Sequence, residues 1–133
     1  IEKTNFLGVN INNPDMRNVI IDKSIFKGNL NRVNLHKAKI NNTGFNGSII
    51  NDVNFSGSNI SNSSFSSTEI NDSRFNNAIL KNINFSGAHL CKIDFSKAKK
   101  IHHLVFTNAK FCHVIMPNGV INDSDCNQSG FCA

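Results

Sequence analysis

The chain has 133 residues, the length of a single domain. Only 17% of these residues are charged, and no apolar run approaches the roughly 18 residues of a membrane span, so no spanning segment is expected. The formal net charge is +5, but it is unevenly placed. Residues 40–73 contain no Lys or Arg, whereas residues 74–110 contain seven and a single acid, Asp94. The basic residues therefore form two bands rather than one continuous stripe.

A large apolar residue occurs at every fifth position between residues 30 and 95, and the residue two places before it is small or β-branched. Residues 6–26 and 106–116 keep the same interval, which gives 22 repeats in all. A period of five fits neither an α-helix nor an isolated strand. The backbone must therefore turn a corner every five residues.

Coils built from such sides stack at the strand spacing of about 4.8 Å, and with four sides to each coil the 22 repeats would give about five to six coils. Phe recurs every ten residues from position 45 to position 95, with Ile or Leu between. We therefore expect Phe on two opposite faces, aliphatic residues on the other two, and a filled interior with no ligand cavity. The predicted core ladder consists of Ile40, Phe45, Ile50, Phe55, Ile60, Phe65, Ile70, Phe75, Leu80, Phe85, Leu90 and Phe95.

Two stretches, Val53-Asn54-Phe55-Ser56-Gly57 and Ala88-His89-Leu90, carry the pattern A-(D/N)-(L/F)-X-X. In this pattern the chain resembles the pentapeptide-repeat family. The resemblance implies an all-β fold, a right-handed quadrilateral β-helix, which we expect over residues 1–116. A C-terminal capping segment is expected over residues 117–133.

Two faults interrupt the register. Near residues 26–30 the interval falls to four, and near residues 96–106 it rises to eleven. Unbroken spacing would place Lys100 in the core, and a buried unpaired Lys is costly. We therefore expect a one-residue bulge with Ile101 in the core position. Bulges often mark functional places in solenoids, and an insertion tolerated at a surface corner is the alternative.

Residues 20 apart are expected to be neighbours on adjacent coils. One such column contains Arg32, Asp52, Asp72 and Lys92, and another contains Asn31, Asn51 and Asn71. Stacked amides stabilise neighbouring strands, whereas exposed ion pairs contribute only about 0–1 kcal/mol each. We interpret both columns as structural.

All four cysteines follow residue 90. The segment 111–126 reads F-C-H-V-I-M-P-N-G-V-I-N-D-S-D-C. It resembles a C-terminal ending common among cyanobacterial pentapeptide-repeat proteins. Given this resemblance, we infer that Cys112 and Cys126 form a disulfide that pins the final strand over the open end of the rod. Cys132 is left either free or paired with Cys91.

Disulfides indicate an oxidising compartment. Together with the cyanobacterial character of the ending, they suggest the thylakoid lumen or the periplasm. Four reduced thiols in a cytoplasmic protein are the alternative.

No catalytic, cofactor-binding or metal site is expected. Cys112, His102, His103 and His113 lie close in sequence, but their spacing matches no zinc pattern. The chain has no glycine loop that would cradle phosphates. A filled rod also offers no cleft for a nucleophile and its base. The protein is therefore not predicted to be an enzyme.

The favoured function is a structural or protein-interaction module. A candidate patch for an anionic partner consists of Lys97, Lys99, Lys100, His102 and His103, to which Lys92 and Lys110 add charge. A solvated basic face is the alternative. Nucleic acid is not an expected partner, because register commits ten of the eleven Phe to the core and none of these is left for base stacking. End-to-end homo-oligomerisation through the N-terminal coil is also predicted.

Two further interpretations stay open. Some members of the resembled family mimic B-form DNA and bind DNA gyrase, which requires a strongly negative surface. The net charge of +5 disfavours this function, since only the middle band is acidic. The other interpretation is an accessory or effector domain of a larger protein.

Overall fold

The structure is a computed structural model that describes residues 1–130 and Cys132. Residues 131 and 133, which fall in the predicted capping segment, lie outside the described residues. The described residues form no helix, and hence none with the length and apolarity to cross a membrane. Their strands are β1 (Asn5–Asn12), β2 (Ile20–Asp22), β3 (Ile25–Asn31), β4 (Lys39–Asn41), β5 (Ile49–Asn51), β6 (Asn59–Ser64), β7 (Glu69–Asn71), β8 (Ile79–Asn84), β9 (His89–Asp94), β10 (Lys100–Val105), β11 (Lys110–Ile115) and β12 (Ile121–Asn122).

The strands wind into an all-β solenoid of about six turns, which confirms the predicted fold class. The odd-numbered strands stack in the order β1-β3-β5-β7-β9-β11, and β12 completes this sheet of seven. The even-numbered strands stack in the order β2-β4-β6-β8-β10 and form a sheet of five. All strand pairs except β11 and β12 are parallel. In each parallel pair the chain makes one complete coil before it returns beside the earlier strand, so the two strands run in the same direction.

The interior is filled by side chains along the length of the coil. Phe45 and Phe65 stack with ring centroids 4.7 Å apart, and Phe55 and Phe75 stack at 5.0 Å. Phe55 also meets Phe65 edge to face at 5.9 Å, so the two stacks contact each other across the core. The twelve ladder residues named above are each no more than 2% exposed.

The corners use Asn at several positions. Many corner residues have φ in the left-handed region, and Asn occurs there more often than any other non-glycine residue. Asn62, two residues after the inward Ile60, has φ 51°. Asn tolerates this conformation better than most L-residues do. The turns therefore account for part of the high Asn content.

The first coil carries one residue more than the second at the position where they pair. Leu7 is opposite Lys27, but Val9 is opposite Gly28, so Gly8 has no counterpart. Gly28 has φ 150° and lies so close to Val9 that a β-carbon on it would be 1.9 Å from the Val9 carbonyl oxygen. Only glycine fits this approach.

The coil that ends in β10 takes up one extra residue as a bulge. The carbonyl oxygen of Ala78 accepts hydrogen bonds from the N–H groups of both Lys99 and Lys100, at 2.8 and 3.3 Å. Ile101 is then opposite the buried Leu80 and is half-buried, whereas Lys100 is exposed. The chain thereby keeps the ammonium group in water, where a charge is least costly.

After β11 the chain turns at residues 117–119, and β12 returns along the outer edge of the larger sheet. Ile115 lies opposite Ile121, and Val120 and Ile121 are 59% and 64% exposed. β12 therefore adds a strand beyond β11 at the end of the larger sheet. The physical reason is that the free backbone groups of an edge strand favour pairing with another strand.

Two disulfides hold this C-terminal segment. One joins Cys112 in β11 to Cys126, and the other joins Cys91 in β9 to Cys132. Each pair ties the segment to a strand of the larger sheet. The two bonds indicate an oxidising environment.

Candidate functional site

The candidate basic patch lies at the C-terminal end of the five-stranded sheet. In β10, Lys100 is opposite Ile79 of β8, and His102 is opposite Lys81. These four side chains line a groove of about 190 Å³. The register of parallel strands thus adds Lys81 to the patch, a residue that sequence analysis did not include. The bulge adds one residue to this coil, which therefore has 21 residues instead of 20. Subtracting 21 from the position of His102 would have identified Lys81 as its neighbour.

The other predicted patch residues flank this groove. Lys97 lies in the turn before β10, where its carbonyl oxygen accepts a hydrogen bond of 2.8 Å from the N–H of Asn77. Lys99 is at the bulge and is exposed. His103 has φ 69° and is exposed at the corner that follows the inward Ile101. Residues 97–99 thus lead into β10, the outermost strand of the sheet, and Lys100, His102 and His103 lie within it.

Lys92 and Lys110 do not join this patch. Lys92 is in β9 and Lys110 is in β11, and both strands belong to the other sheet. Lys92 Nζ lies 4.0 Å from Asp72 Oδ1, so its charge is partly balanced. The cluster of basic residues that is continuous in sequence is thus divided between two faces.

The patch carries no compensating carboxylate. Within residues 1–130 and Cys132, no acidic side chain forms a salt bridge with Lys81, Lys97, Lys99 or Lys100. The outward positions of β4 and β6 beside it hold Lys39 and neutral residues. Its positive potential is consequently lowered only by solvent and dissolved ions.

Four of the nine acidic residues form salt bridges: Asp15, Asp52, Asp72 and Asp123. Asp52 Oδ1 accepts a hydrogen bond of 3.0 Å from Arg74 Nη1, and not from Arg32 of its own column. The Asn column behaves as a ladder, in which Asn51 donates to Asn31 at 3.1 Å and Asn71 donates to Asn51 at 2.8 Å. These columns connect neighbouring coils.

A second cluster lies at the C-terminal hairpin. Ligand atoms of Cys112, His113, Asp123 and Cys126 all lie within 4.8 Å of one another. Sequence analysis considered the cysteine and the histidine but missed Asp123. The sequence of the turn could have indicated this neighbour. In an antiparallel hairpin centred on Asn118, residues equally far from Asn118 lie opposite each other, and His113 and Asp123 are each five residues from it.

Comparison with known proteins supports the repeat assignment. A family model described as "Pentapeptide repeat region" matches residues 28–102. No curated protein sequence matches the chain significantly. Among solved structures, a trypsin-treated variant of QnrB1, a plasmid-mediated fluoroquinolone resistance protein, is similar at 18% identity and a TM-score of 0.53. The match covers 81% of this chain and 49% of that one, so this chain spans about half its length.

Two other solved structures are similar at lower TM-scores. A pentapeptide repeat protein of the Arabidopsis thaliana thylakoid lumen is 12% identical, with a TM-score of 0.48, and the match covers 82% of this chain and 69% of that one. HetL, a pentapeptide repeat protein involved in heterocyst differentiation regulation in the cyanobacterium Nostoc, is 17% identical with a TM-score of 0.33, and the match covers 81% and 68%. Identities this low bear on fold and not on role.

Proposed function

The chain belongs to the pentapeptide repeat family, and we propose that it is a non-catalytic protein-interaction module that docks an acidic protein surface on the β8–β10 patch. We define this patch as Lys81, Lys97, Lys99, Lys100, His102 and His103, with Ile79 at its centre. The observation that carries the proposal is the absence of any carboxylate paired with its lysines among the described residues.

Unpaired lysines favour association with an acidic partner in two ways. No ion pair of these lysines among the described residues has to break before docking, so their Coulomb attraction is available to the partner. Complementary charge also accelerates encounter. Ile79 lies opposite Lys100 and is half-buried, so it adds an apolar contact beside the charges. The aliphatic stems of the lysines can cover this contact while their ammonium groups meet carboxylates.

A protein partner fits these features better than nucleic acid does. Base stacking requires exposed aromatic rings, and ten Phe rings stack or pack along the interior. A long nucleic acid also requires a basic track that continues along the surface. Here the patch ends at β6, whose outward positions on this sheet are Asn59 and Ser61.

We place this activity in an oxidising compartment, because both cysteine pairs are disulfides. The resemblance of segment 111–126 to cyanobacterial endings favours the thylakoid lumen or the periplasm. A cytoplasmic location would require all four thiols to be reduced, and thiol labelling of the native protein separates the two.

Mimicry of DNA is the weaker alternative. It needs rows of free negative charge, whereas Asp52 is paired with Arg74 and Asp72 lies 4.0 Å from Lys92. These pairs interrupt the acidic column at the place where the row of charge would run. Inhibition of purified DNA gyrase by the chain at micromolar concentration would favour this alternative instead.

End-to-end self-association is a second interaction that the structure supports. Phe6, Ile11 and Met16 are only partly buried in the first coil, and Leu7 and Ile20 are each 59% exposed. Apolar side chains beside the outer edges of β1 and β2 favour pairing with another chain. Mass measurements across a range of protein concentrations should show a dimer, and a monomer at every concentration would contradict this proposal.

The docking proposal is tested by charge reversal at matched positions. Lys100→Glu and Lys81→Glu should each weaken binding of a poly-glutamate peptide at least about tenfold. Lys39→Glu is the control, because Lys39 occupies the same outward position of the same sheet in an earlier coil. Equal binding by all three variants would overturn the proposal. Tighter binding of a DNA duplex than of the peptide would favour nucleic acid.

A further inference from the structure

The cluster at the C-terminal hairpin has the composition of a metal site. His113 Nδ1 lies 3.1 Å from Asp123 Oδ1, and Cys126 Sγ lies 3.7 Å from the same oxygen. Tetrahedral zinc with Zn–N and Zn–O bonds near 2.0 Å and Zn–S bonds near 2.3 Å would separate these atoms by about 3.3 and 3.5 Å. Two of the ligand separations are therefore already close to those of a bound ion.

The backbone holds the histidine and the carboxylate in these places. His113 has φ 54°, so the chain turns a corner there, and the side chains of Cys112 and His113 reach the same cluster. In a regular strand two consecutive side chains would point to opposite faces. The N–H of His113 donates a hydrogen bond of 2.7 Å to Asp123 Oδ1, which fixes the carboxylate beside the ring.

The second nitrogen of the imidazole is oriented as in a metal-ligating histidine. His113 Nε2 lies 2.6 Å from the carbonyl oxygen of Gly130. A carbonyl oxygen only accepts hydrogen bonds, so Nε2 carries the proton. Nδ1 then faces the Asp123 carboxylate either with a second proton or with a lone pair directed at a cation. Ligating histidines commonly donate their other N–H to such a carbonyl, which fixes the tautomer and raises ligand basicity.

We propose that Cys112, His113, Asp123 and Cys126 bind a Zn²⁺ ion when the Cys112–Cys126 disulfide is reduced, so that the hairpin carries a redox-gated metal site. In the oxidised chain the two sulfur atoms are bonded to each other and are not thiolate ligands. A dithiol reductant transfers two electrons and two protons to this bond and is itself oxidised to a disulfide. The ion then displaces the two thiol protons.

Access to the bond favours this reduction. Cys112 is 4% exposed, but Cys126 is half-buried, and His113 and Asp123 are exposed. A thiolate reductant can therefore approach Cys126, and a hydrated ion can reach the cluster from solvent. Because Zn²⁺ would join the same two chain segments as the disulfide, β12 stays fixed to β11 in both redox states.

The test uses Co²⁺ as a spectroscopic substitute for Zn²⁺ on the full chain, with and without prior reduction by a phosphine. We expect the reduced chain to bind one Co²⁺ with the visible absorption of a tetrahedral thiolate site, and Zn²⁺ to displace it. The oxidised chain should show no such absorption. A Cys91→Ser/Cys132→Ser variant should behave like the wild type, whereas Cys112→Ser/Cys126→Ser should lose the signal.

Two matched histidines provide the sharpest comparison. His113→Ala should weaken Co²⁺ binding at least about tenfold. His89→Ala should leave it unchanged, because His89 is an exposed histidine of the neighbouring strand β9 and is not part of the cluster. His113→Ala keeps the backbone N–H that holds Asp123, so it preserves the hairpin contact.

The proposal would be overturned by a reduced chain that binds no metal, by His113→Ala binding as tightly as the wild type, or by a signal that depends on Cys91 and Cys132. Far-ultraviolet circular dichroism of each variant verifies that it is folded. None of these outcomes depends on the docking surface, so the two proposals fail independently.

Discussion

The rings of Phe55 and Phe75 lie parallel, with centroids 5.0 Å apart and planes inclined by only 1°. The two residues are one coil apart, and neither is measurably exposed. Phe75 also contacts Phe85 edge to face at 6.5 Å. The Phe75 ring therefore contacts both the neighbouring coil, through Phe55, and the opposite side of the core, through Phe85. Truncation of its side chain would remove both contacts.

Phe75→Ala should lower the free energy of unfolding by about 3–5 kcal/mol, because it removes a buried ring and leaves a cavity that rigid coils cannot close. Chemical denaturation of the full chain measures the loss. Ile49→Ala is the control, since Ile49 is 36% exposed and should cost no more than about 1 kcal/mol. Similar losses for the two variants would show that the aromatic stack does not determine stability.

Gly28 should tolerate no side chain. A β-carbon there would lie 1.9 Å from the Val9 carbonyl oxygen, and the backbone has φ 150°. Gly28→Ala should therefore lower the free energy of unfolding by about 1–3 kcal/mol and separate β3 from β1. Hydrogen exchange of the β1 amides should accelerate before that of the central strands.

Gly44→Ala is the matched control for this change. Gly44 lies in the following coil, where a β-carbon added to it would meet nothing within 4 Å, and its φ is not positive. The hydrogen exchange and stability of this variant should stay close to those of the wild type. If Gly28→Ala behaved in the same way, the close approach of β1 and β3 would be wrong.

The fold could be predicted from the sequence because a single rule, inward side chains every five residues, determines the register. The ion-pair partners of long surface side chains could not be predicted from the sequence. Arg74 reaches Asp52 diagonally, although Asp52 shares a column with Arg32. Long side chains choose among several neighbours by local electrostatics, and exposed pairs differ in free energy by less than about 1 kcal/mol.

The candidate sites were less predictable for a related reason. Lys81 joins Lys100 and His102 only because the bulge shifts the pairing to 21 residues. Asp123 reaches His113 only because the terminal hairpin reverses the chain direction. Both contacts arise at departures from the repeat, where the period of five no longer predicts neighbours.

The amide ladder should contribute measurably to stacking. Asn51 donates to Asn31 and accepts from Asn71, so Asn51→Ala leaves one acceptor and one donor without their partners. All three side chains are half-buried, and the expected loss is about 1–2 kcal/mol in the free energy of unfolding. Asn59→Ala, at an exposed position of the opposite sheet, is the control. Equal midpoints of denaturation for both variants would contradict a stabilising ladder.

Thiol labelling of protein purified from its native source addresses the compartment directly. With Cys91–Cys132 and Cys112–Cys126 both formed, the unfolded but unreduced chain should take up no alkylating reagent, and the reduced chain should take up four equivalents. Mass measurement of the intact chain distinguishes the two states. Alkylation at four sites without reduction would contradict an oxidising compartment.

The same two bonds should also stabilise the chain to different degrees. Their sequence separations are 41 and 14, so chain entropy predicts losses of about 4 and 3 kcal/mol when each pair is replaced by serines. The losses should be concentrated in β9, β11 and β12, which the bonds connect, and hydrogen exchange would locate them there. A crosslink at one end of the solenoid protects distant coils only when the whole solenoid unfolds cooperatively. Hydrogen exchange that accelerates equally in β1 and β2 would therefore show that all coils unfold as one unit.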